Sequence, residues 1–272
     1  MRVLNGSELV SFIKERQAKQ VRGLRQAYGV LPKLVILVAG ENKVIDTYVR
    51  LKQAYGEDIL IETDVRNVDA ADIPEAIERA NLDASVHGII VQLPLPDPSK
   101  TDELVSLINP LKDVDNLSGA DVYVAATAMA IDWLLAGYNV QLKDRNISIV
   151  GNGRLVGAPL YKLWQGAGLK VTVYDETESD LSSKIRSSDV IVTATGVPGV
   201  IDSSMIAPGK VVVDAGTASE NGVIVGDLAA DVRERDDLTI TPVKGGVGPL
   251  TVAALFDNVI EAARKVALAK EA

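Results

Sequence analysis

Ile147-Ser-Ile-Val-Gly-Asn-Gly-Arg-Leu-Val-Gly157 is the stretch on which the fold turns. A short apolar run drops into three glycines and then into a helical pattern, so it reads as strand, turn and helix. Such a junction aims backbone N–H groups and the positive end of a helix dipole at whatever lies above it, which suits a phosphate or pyrophosphate. The spacing G-x-G-x-x-x-G is one residue longer at its last step than the common dinucleotide fingerprint, and on the motif alone an ordinary strand-to-helix turn accounts for it as well. Its surroundings favour the dinucleotide. Leu169–Tyr174 follows as a second strand and ends at Asp175-Glu176, where a ribose-binding acid belongs, and Asp175 follows Gly151 at close to the usual offset of about 20 residues.

The same alternation extends in both directions. Apolar runs at Leu34–Ala39, Asp58–Glu62, Val86–Gln92, Asp189–Thr193, Val211–Asp214 and Leu238–Pro242 read as strands. Helical periodicity covers Gly6–Tyr28, Val44–Tyr55, Ile73–Leu82, Asp102–Ile108, Val124–Leu135, Asp180–Ser187 and Leu250–Ala269. Continuous apolar strands between helices predict an α/β protein with parallel sheets covered on both faces.

Composition narrows the function. The 272 residues suffice for two modest domains or one large one, and 47% are hydrophobic. A net charge of −9 argues against a nucleic-acid surface, which needs clustered Lys and Arg. With no cysteine and one histidine, His87, neither disulfides nor a thiolate or histidine-rich metal site is expected. The start lacks a signal-like apolar core and no run approaches the ~18 residues of a membrane span, so a cytoplasmic enzyme or binding protein with no membrane partner is expected.

Individual side chains suggest a second site. Tyr48 and Lys52, at i and i+4 of one helix, emerge on one face, although alone they are more simply a solvated lysine beside a partly buried tyrosine. Gln92 ends an apolar strand just before two prolines, at the edge that lines the ligand crevice of open α/β sheets; an amide serving local backbone groups is the alternative. His87 reads as an ordinary strand residue. Lys112-Asp-Val-Asp-Asn116, taken alone, is a turn.

Several stretches, in order, resemble the bifunctional methylenetetrahydrofolate dehydrogenase/methenyltetrahydrofolate cyclohydrolase family. The matching residues are Tyr48-Val-Arg-Leu-Lys52, Gly88-Ile-Ile-Val-Gln-Leu-Pro-Leu-Pro96, Lys112-Asp-Val-Asp115, Leu155-Val-Gly-Ala-Pro159, Thr195-Gly-Val-Pro198, Gly226-Asp227, Thr241-Pro-Val243 and Gly245-Gly-Val-Gly-Pro-Leu-Thr251. The resemblance implies a catalytic folate domain, residues 1–126 completed by a C-terminal helix over 250–272, and a Rossmann-like dinucleotide-binding domain over 127–249, with a cleft between them. It also implies a homodimer and tetrahydrofolate derivatives as substrates. Lys52 matches the family's catalytic lysine, Gln92 the glutamine that orients it, Asp115 the pterin anchor and Tyr48 the residue stacking on the pterin. Leu93, Pro94, Gly246 and Pro249 are expected to line the folate site. Gly151, Asn152, Gly153, Arg154, Leu155, Asp175, Thr195, Gly196 and Gly216 are expected to hold the cofactor.

The implied reactions are oxidation of 5,10-methylenetetrahydrofolate to the methenyl form by hydride transfer to a nicotinamide cofactor, and hydrolysis of that form to 10-formyltetrahydrofolate. A decayed folate- or nucleotide-binding relative, or an enzyme of one activity only, is the alternative. The chain departs from the family's pattern in places. Ala125-Ala-Thr-Ala128 stands for a proline-cysteine-threonine-proline turn, and the segment joining it to Asp115 is shorter. Asn116 replaces a glycine, Ile45 a serine and Lys244 a proline. NADP-using members carry Arg-Ser where this chain has Asn152-Gly153, and a histidine followed by Arg or Ser where it has Tyr174-Asp-Glu176, so NAD is expected over NADP.

Overall fold

The run at Leu34–Ala39 is the middle of a three-stranded parallel sheet, and six of the seven residues of its strand are buried. The computed structural model describes residues 1–40, 43–220 and 223–269. Its first half contains β1 (Arg2–Val3), α1 (Gly6–Tyr28), β2 (Lys33–Ala39), α2 (Lys43–Asp58), β3 (Glu62–Val68), α3 (Ile73–Leu82), β4 (Gly88–Val91), α4 (Thr101–Ser106) and α5 (Ala126–Gly137). There follow β5 (Asn146–Val150), α6 (Gly157–Gly166), β6 (Lys170–Tyr174), α7 (Leu181–Arg186), β7 (Val190–Thr193) and β8 (Val211–Asp214). The hairpin β9 (Ala218–Glu220) and β10 (Val223–Val225), then α8 (Ala230–Arg233), β11 (Thr239–Ile240) and α9 (Val247–Ala269), complete the described chain.

These elements form two compact units, Met1–Val10 with Thr127–Thr251, and Ser11–Ala126 with the residues from Val252 onward. The expected 1–126 domain therefore loses its first ten residues to the other unit. The physical reason is β1, which pairs in parallel with β11 through Arg2 and Val3 and is followed by the fully buried Leu4. Residues 270–272 of the expected C-terminal helix lie outside the described residues.

In the unit that carries Lys52, the strand order β3-β2-β4 puts a reversal of winding at β2, so the crevice beyond the carboxyl ends of β2 and β4 is where ligands sit in such sheets. Its helices are pinned by a buried polar contact: the Gln17 amide donates to the Ala253 carbonyl at 2.8 Å and accepts from the Tyr55 hydroxyl at 2.7 Å. Tyr55 stacks on Phe256 with ring centroids 5.3 Å apart.

The strand expected at Asp58–Glu62 is instead the end of α2. Leu60 takes a left-handed φ of 66°, and the Ile61 N–H bonds the Gly56 carbonyl at 2.9 Å, a helix-closing turn. Ile59 and Ile61 are buried because they plug that helix end, and the strand begins only at Glu62.

In the other unit, six parallel strands run in the order β1-β11-β8-β7-β5-β6. β6 lies on one side of β5 and β7 on the other, so winding reverses at the strand that feeds the glycine turn. Among the described residues, no helix is long and apolar enough to cross a membrane.

Candidate active site

Lys52 and Gln92 come from different elements and meet. α2 presents the lysine, and Gln92 follows β4, where its backbone N–H still bonds the Leu37 carbonyl of β2 at 2.9 Å. The Lys52 Nζ donates to Gln92 Oε1 at 2.7 Å, and the amide's Nε2 donates to the Leu93 carbonyl at 2.9 Å, which fixes the carbonyl oxygen toward the lysine. Burial lowers the Lys52 pKa below the ordinary lysine value, opposed by the negative charge of Asp115. Burial likewise raises the Asp115 pKa, opposed by Lys52 and reinforced by Asp113. Tyr48, one turn before Lys52, is half-buried, with its pKa raised by burial. The result is an amine biased toward neutrality beside an oriented amide and a carboxyl, able to pass a proton.

The Lys112–Asp115 turn shows how the aspartate is held. The Lys112 Nζ donates to the carbonyls of Ala80, Asn81 and Asp83, around the carboxyl end of α3, at 2.7–3.0 Å. Asp113 is buried and accepts from the Leu117 and Ser118 N–H groups and the Ser118 hydroxyl. Asn116, where the family has glycine, adopts a φ of 54°, a conformation asparagine tolerates better than most residues. It exchanges two hydrogen bonds with Asp121, at 2.9 and 3.2 Å, closing the short segment.

Asn258 is a residue that sequence reasoning missed. On α9, nearly buried, its amide nitrogen donates to the carbonyls of Val114 and Val124, both at 2.8 Å, tying the two ends of the segment that carries Asp115. The available signal was a lone amide among Phe256, Val259 and Ile260. Asn258→Leu leaves both carbonyls without this donor and is expected to destabilise the protein by about 2 to 5 kcal/mol. Chemical denaturation measures this, and an unchanged midpoint would show that the segment is held by other contacts.

The glycine turn places its residues for different reasons. Gly151 has a φ of 103°, and a Cβ there would come within 2.5 Å of the Ala194 carbonyl oxygen. A Cβ at Gly157 would come within 1.8 Å of the Gly151 carbonyl oxygen, so the longer third step still serves close packing of helix on strand. A Cβ added at Gly153 would meet nothing within 4 Å, which leaves this face of the backbone open to a ligand. Asn152, Arg154 and Leu155 are exposed, and the N-cap of α6 makes no side-chain cap. The Val156 and Ala158 N–H groups turn back to the Gly153 carbonyl, and the positive end of the α6 dipole at this exposed turn suits the phosphates of a dinucleotide.

Asp175 follows β6, is exposed and accepts from the Thr177 N–H at 2.9 Å and its hydroxyl at 2.6 Å; the hydroxyl bond, then the N–H, lowers its pKa. Thr195 and Gly196 follow β7 and are half-buried, and Gly216 follows β8. Of the expected folate-site residues, Leu93 is half-buried and Pro94 exposed, joined by a cis peptide bond; Gly246 and Pro249 belong to the other unit. His87 is a buried residue whose Nδ1 accepts from the Lys33 N–H at 3.3 Å.

Residues 4–115 match the model of the tetrahydrofolate dehydrogenase/cyclohydrolase catalytic domain, and residues 125–267 match that of the family's NAD(P)-binding domain. The chain belongs to the tetrahydrofolate dehydrogenase/cyclohydrolase family. It is 36% identical to the bifunctional protein FolD of Bordetella petrii, across 98% of this chain and 95% of that one. The solved bifunctional enzyme FolD of Campylobacter jejuni is 32% identical with a TM-score of 0.91, covering 97% of this chain and 99% of that one. The Trypanosoma brucei enzyme, solved with NADP and an inhibitor, is 30% identical with a TM-score of 0.90 and 97% coverage of each chain. Membership in the tetrahydrofolate dehydrogenase/cyclohydrolase family extends over both units and takes in the departure at Ala125–Ala128, while Asn116 lies in the short stretch between the two matched regions.

Proposed function

We propose that this protein oxidises 5,10-methylenetetrahydrofolate to 5,10-methenyltetrahydrofolate, with NAD preferred over NADP, and hydrolyses the methenyl form to 10-formyltetrahydrofolate. The observation that carries the reading is the Lys52–Gln92 contact beside Asp115, because a half-buried, oriented amine and a carboxyl are what the hydrolytic step requires and no need of the fold explains the three together. The open backbone above Gly153 and the uncapped start of α6 fit a dinucleotide held by Gly151–Leu155, Thr195, Gly196 and Gly216. When bound, the nicotinamide supplies hydride acceptance.

The chain's own residues do the rest. In the dehydrogenase step they chiefly orient: Tyr48 flattens the pterin side, Asp115 hydrogen-bonds its amino group, and Leu93 and Pro94 line the folate. In the hydrolytic step water adds to the methenyl carbon and gives up a proton, and the bond from that carbon to N5 then breaks as N5 takes a proton, leaving the formyl group on N10. Lys52 moves the proton, and Gln92 keeps the amine on the line of transfer. A homodimer working in the cytoplasm belongs to the same proposal, and sedimentation of the purified protein tests the dimer.

The test is spectroscopic: methylenetetrahydrofolate is supplied with each nicotinamide cofactor, and formation and decay of the methenyl chromophore are followed. Folded, folate-binding protein with neither activity would favour a decayed binding relative, and one activity without the other a monofunctional enzyme. Asp115→Ala is expected to lower both activities together, by roughly 10- to 100-fold in kcat/KM for folate, since a pterin anchor serves both. An effect confined to cofactor affinity would show Asp115 misassigned.

A further inference from the structure

Gly226-Asp227 takes no part in the chemistry above, yet Asp227 is fully buried. Its Oδ2 accepts from the backbone N–H of Thr195 at 2.7 Å. Its Oδ1 has no hydrogen-bond partner and presses on Gly216, where an added Cβ would come within 2.0 Å of it. The carboxyl cannot drift. The Asp227 N–H donates to Asp214 Oδ1 at 3.0 Å, and its carbonyl accepts from the Ile201 N–H at 3.3 Å. Asp214 is itself fixed by the N–H groups of Gly216 and Leu228 and by Arg233 at 2.5 Å, and Gly226 gives it room, since a Cβ there would come within 2.1 Å of its Oδ2. At the far end, Thr195 abuts the glycine turn: a Cβ on Gly151 would come within 3.0 Å of the Thr195 nitrogen. A line of contacts therefore runs from the end of β8, through two carboxyls, to the turn after β5.

A second carboxyl buried beside Asp214 is a poor way to gain stability, because desolvation and like charge oppose it and one of its oxygens has no hydrogen-bond partner; what bonds it has go to Thr195 and Gly196. Burial pushes the Asp227 pKa up and Asp214 adds to this, against the Thr195 N–H. We infer that Asp227 is a positioning residue for the cofactor: it locks the Thr195-Gly196 turn against Gly151 so that the backbone groups of both turns are held in place for a nicotinamide dinucleotide it does not itself touch. This rests on the dinucleotide reading above. The acceptor matters and the charge does not, so Asn can replace Asp227 and Ala cannot.

The inference is tested by steady-state kinetics on the whole protein. Asp227→Ala is expected to raise the KM for the nicotinamide cofactor about 10- to 100-fold, the loss that follows from removing a buried, desolvated acceptor. Hydrolysis of added methenyltetrahydrofolate should keep its rate and folate KM within about twofold, because that step needs no cofactor, and Asp227→Asn should stay within about threefold of the parent in every constant. An unchanged cofactor KM in Asp227→Ala, equal loss of both activities in a folded variant, or an Asn variant as impaired as Ala would each overturn it. Should the Ala variant fail to fold, amide exchange of Thr195 in the unaltered protein decides: strong protection is expected, and exchange at the rate of a solvated amide would overturn the anchor. Direct titration separates the two levels. Unaltered protein that binds neither NAD nor NADP refutes the dinucleotide reading and this inference with it, whereas normal binding by both the unaltered protein and Asp227→Ala refutes the role of Asp227 alone.

Discussion

Lys52→Met is expected to lower the cyclohydrolase rate by about 10²- to 10⁴-fold, the usual contribution of a positioned acid-base group, with the fold retained. Methionine approximates the length of lysine, is almost as good a helix former, and suits a half-buried position on α2. What it lacks is the nitrogen that Gln92 holds at 2.7 Å. The sign of the pH dependence follows from the same environment. Burial disfavours the ammonium, so the Lys52 pKa lies below the ordinary value, and the neutral amine grows as pH rises through it. Hydrolysis of methenyltetrahydrofolate, corrected for the spontaneous rate, should therefore rise with pH along a limb that disappears in Lys52→Met. Dehydrogenase activity falls less, because that step asks mainly for orientation. Full enzymatic hydrolysis by the variant would sink the role given to Lys52.

The stretch from Ile147 to Gly157 was legible because its glycines are required by contacts that any reader of strand-turn-helix junctions anticipates: Gly151 against Ala194 and Gly157 against the Gly151 carbonyl. Lys52 and Gln92 were weak candidates from helix spacing and strand-end position, and the ordered resemblance raised them together. No spacing rule brings residues 40 positions apart within 2.7 Å; the parallel pairing of β2 with β4 beneath α2 does so. Three things escaped. β1, of two residues, is too short to show a period, so its unit was misjudged. Ile59 and Ile61 carry a strand's apolarity but close a helix, because burial constrains both alike. Asn258, and the role of Asp227 within the matched Gly226-Asp227 pair, escaped because both act on backbone groups far away in sequence, and a hydrogen bond to a main-chain atom leaves no complementary side chain to notice.

Cofactor choice is the prediction most exposed to refutation. β6 is followed by Asp175-Glu176, both exposed, and α7 begins only at Leu181 with Asp180 as its cap, so the two acids do not start that helix. Thr177 donates twice to Asp175 and keeps it ionised, which fixes a negative charge where the adenine-side ribose of a dinucleotide lies in doubly wound sheets. A carboxylate there accepts from a ribose 2′-OH and repels a 2′-phosphate of about −2 charge. Arg154 is the one cation in the glycine turn, and a guanidinium suits a phosphate. It stands beside Gly153 rather than on β6, so it competes with two carboxylates already at the ribose position. The expected kcat/KM is therefore higher with NAD than with NADP by roughly 10- to 100-fold at low ionic strength, and the ratio should shrink as salt screens these exposed charges. Asp175→Ser combined with Glu176→Arg removes the repulsion and adds a phosphate partner, and should narrow or reverse the preference. Equal or better turnover of the unaltered protein with NADP would mean that Arg154, not Asp175, governs the site.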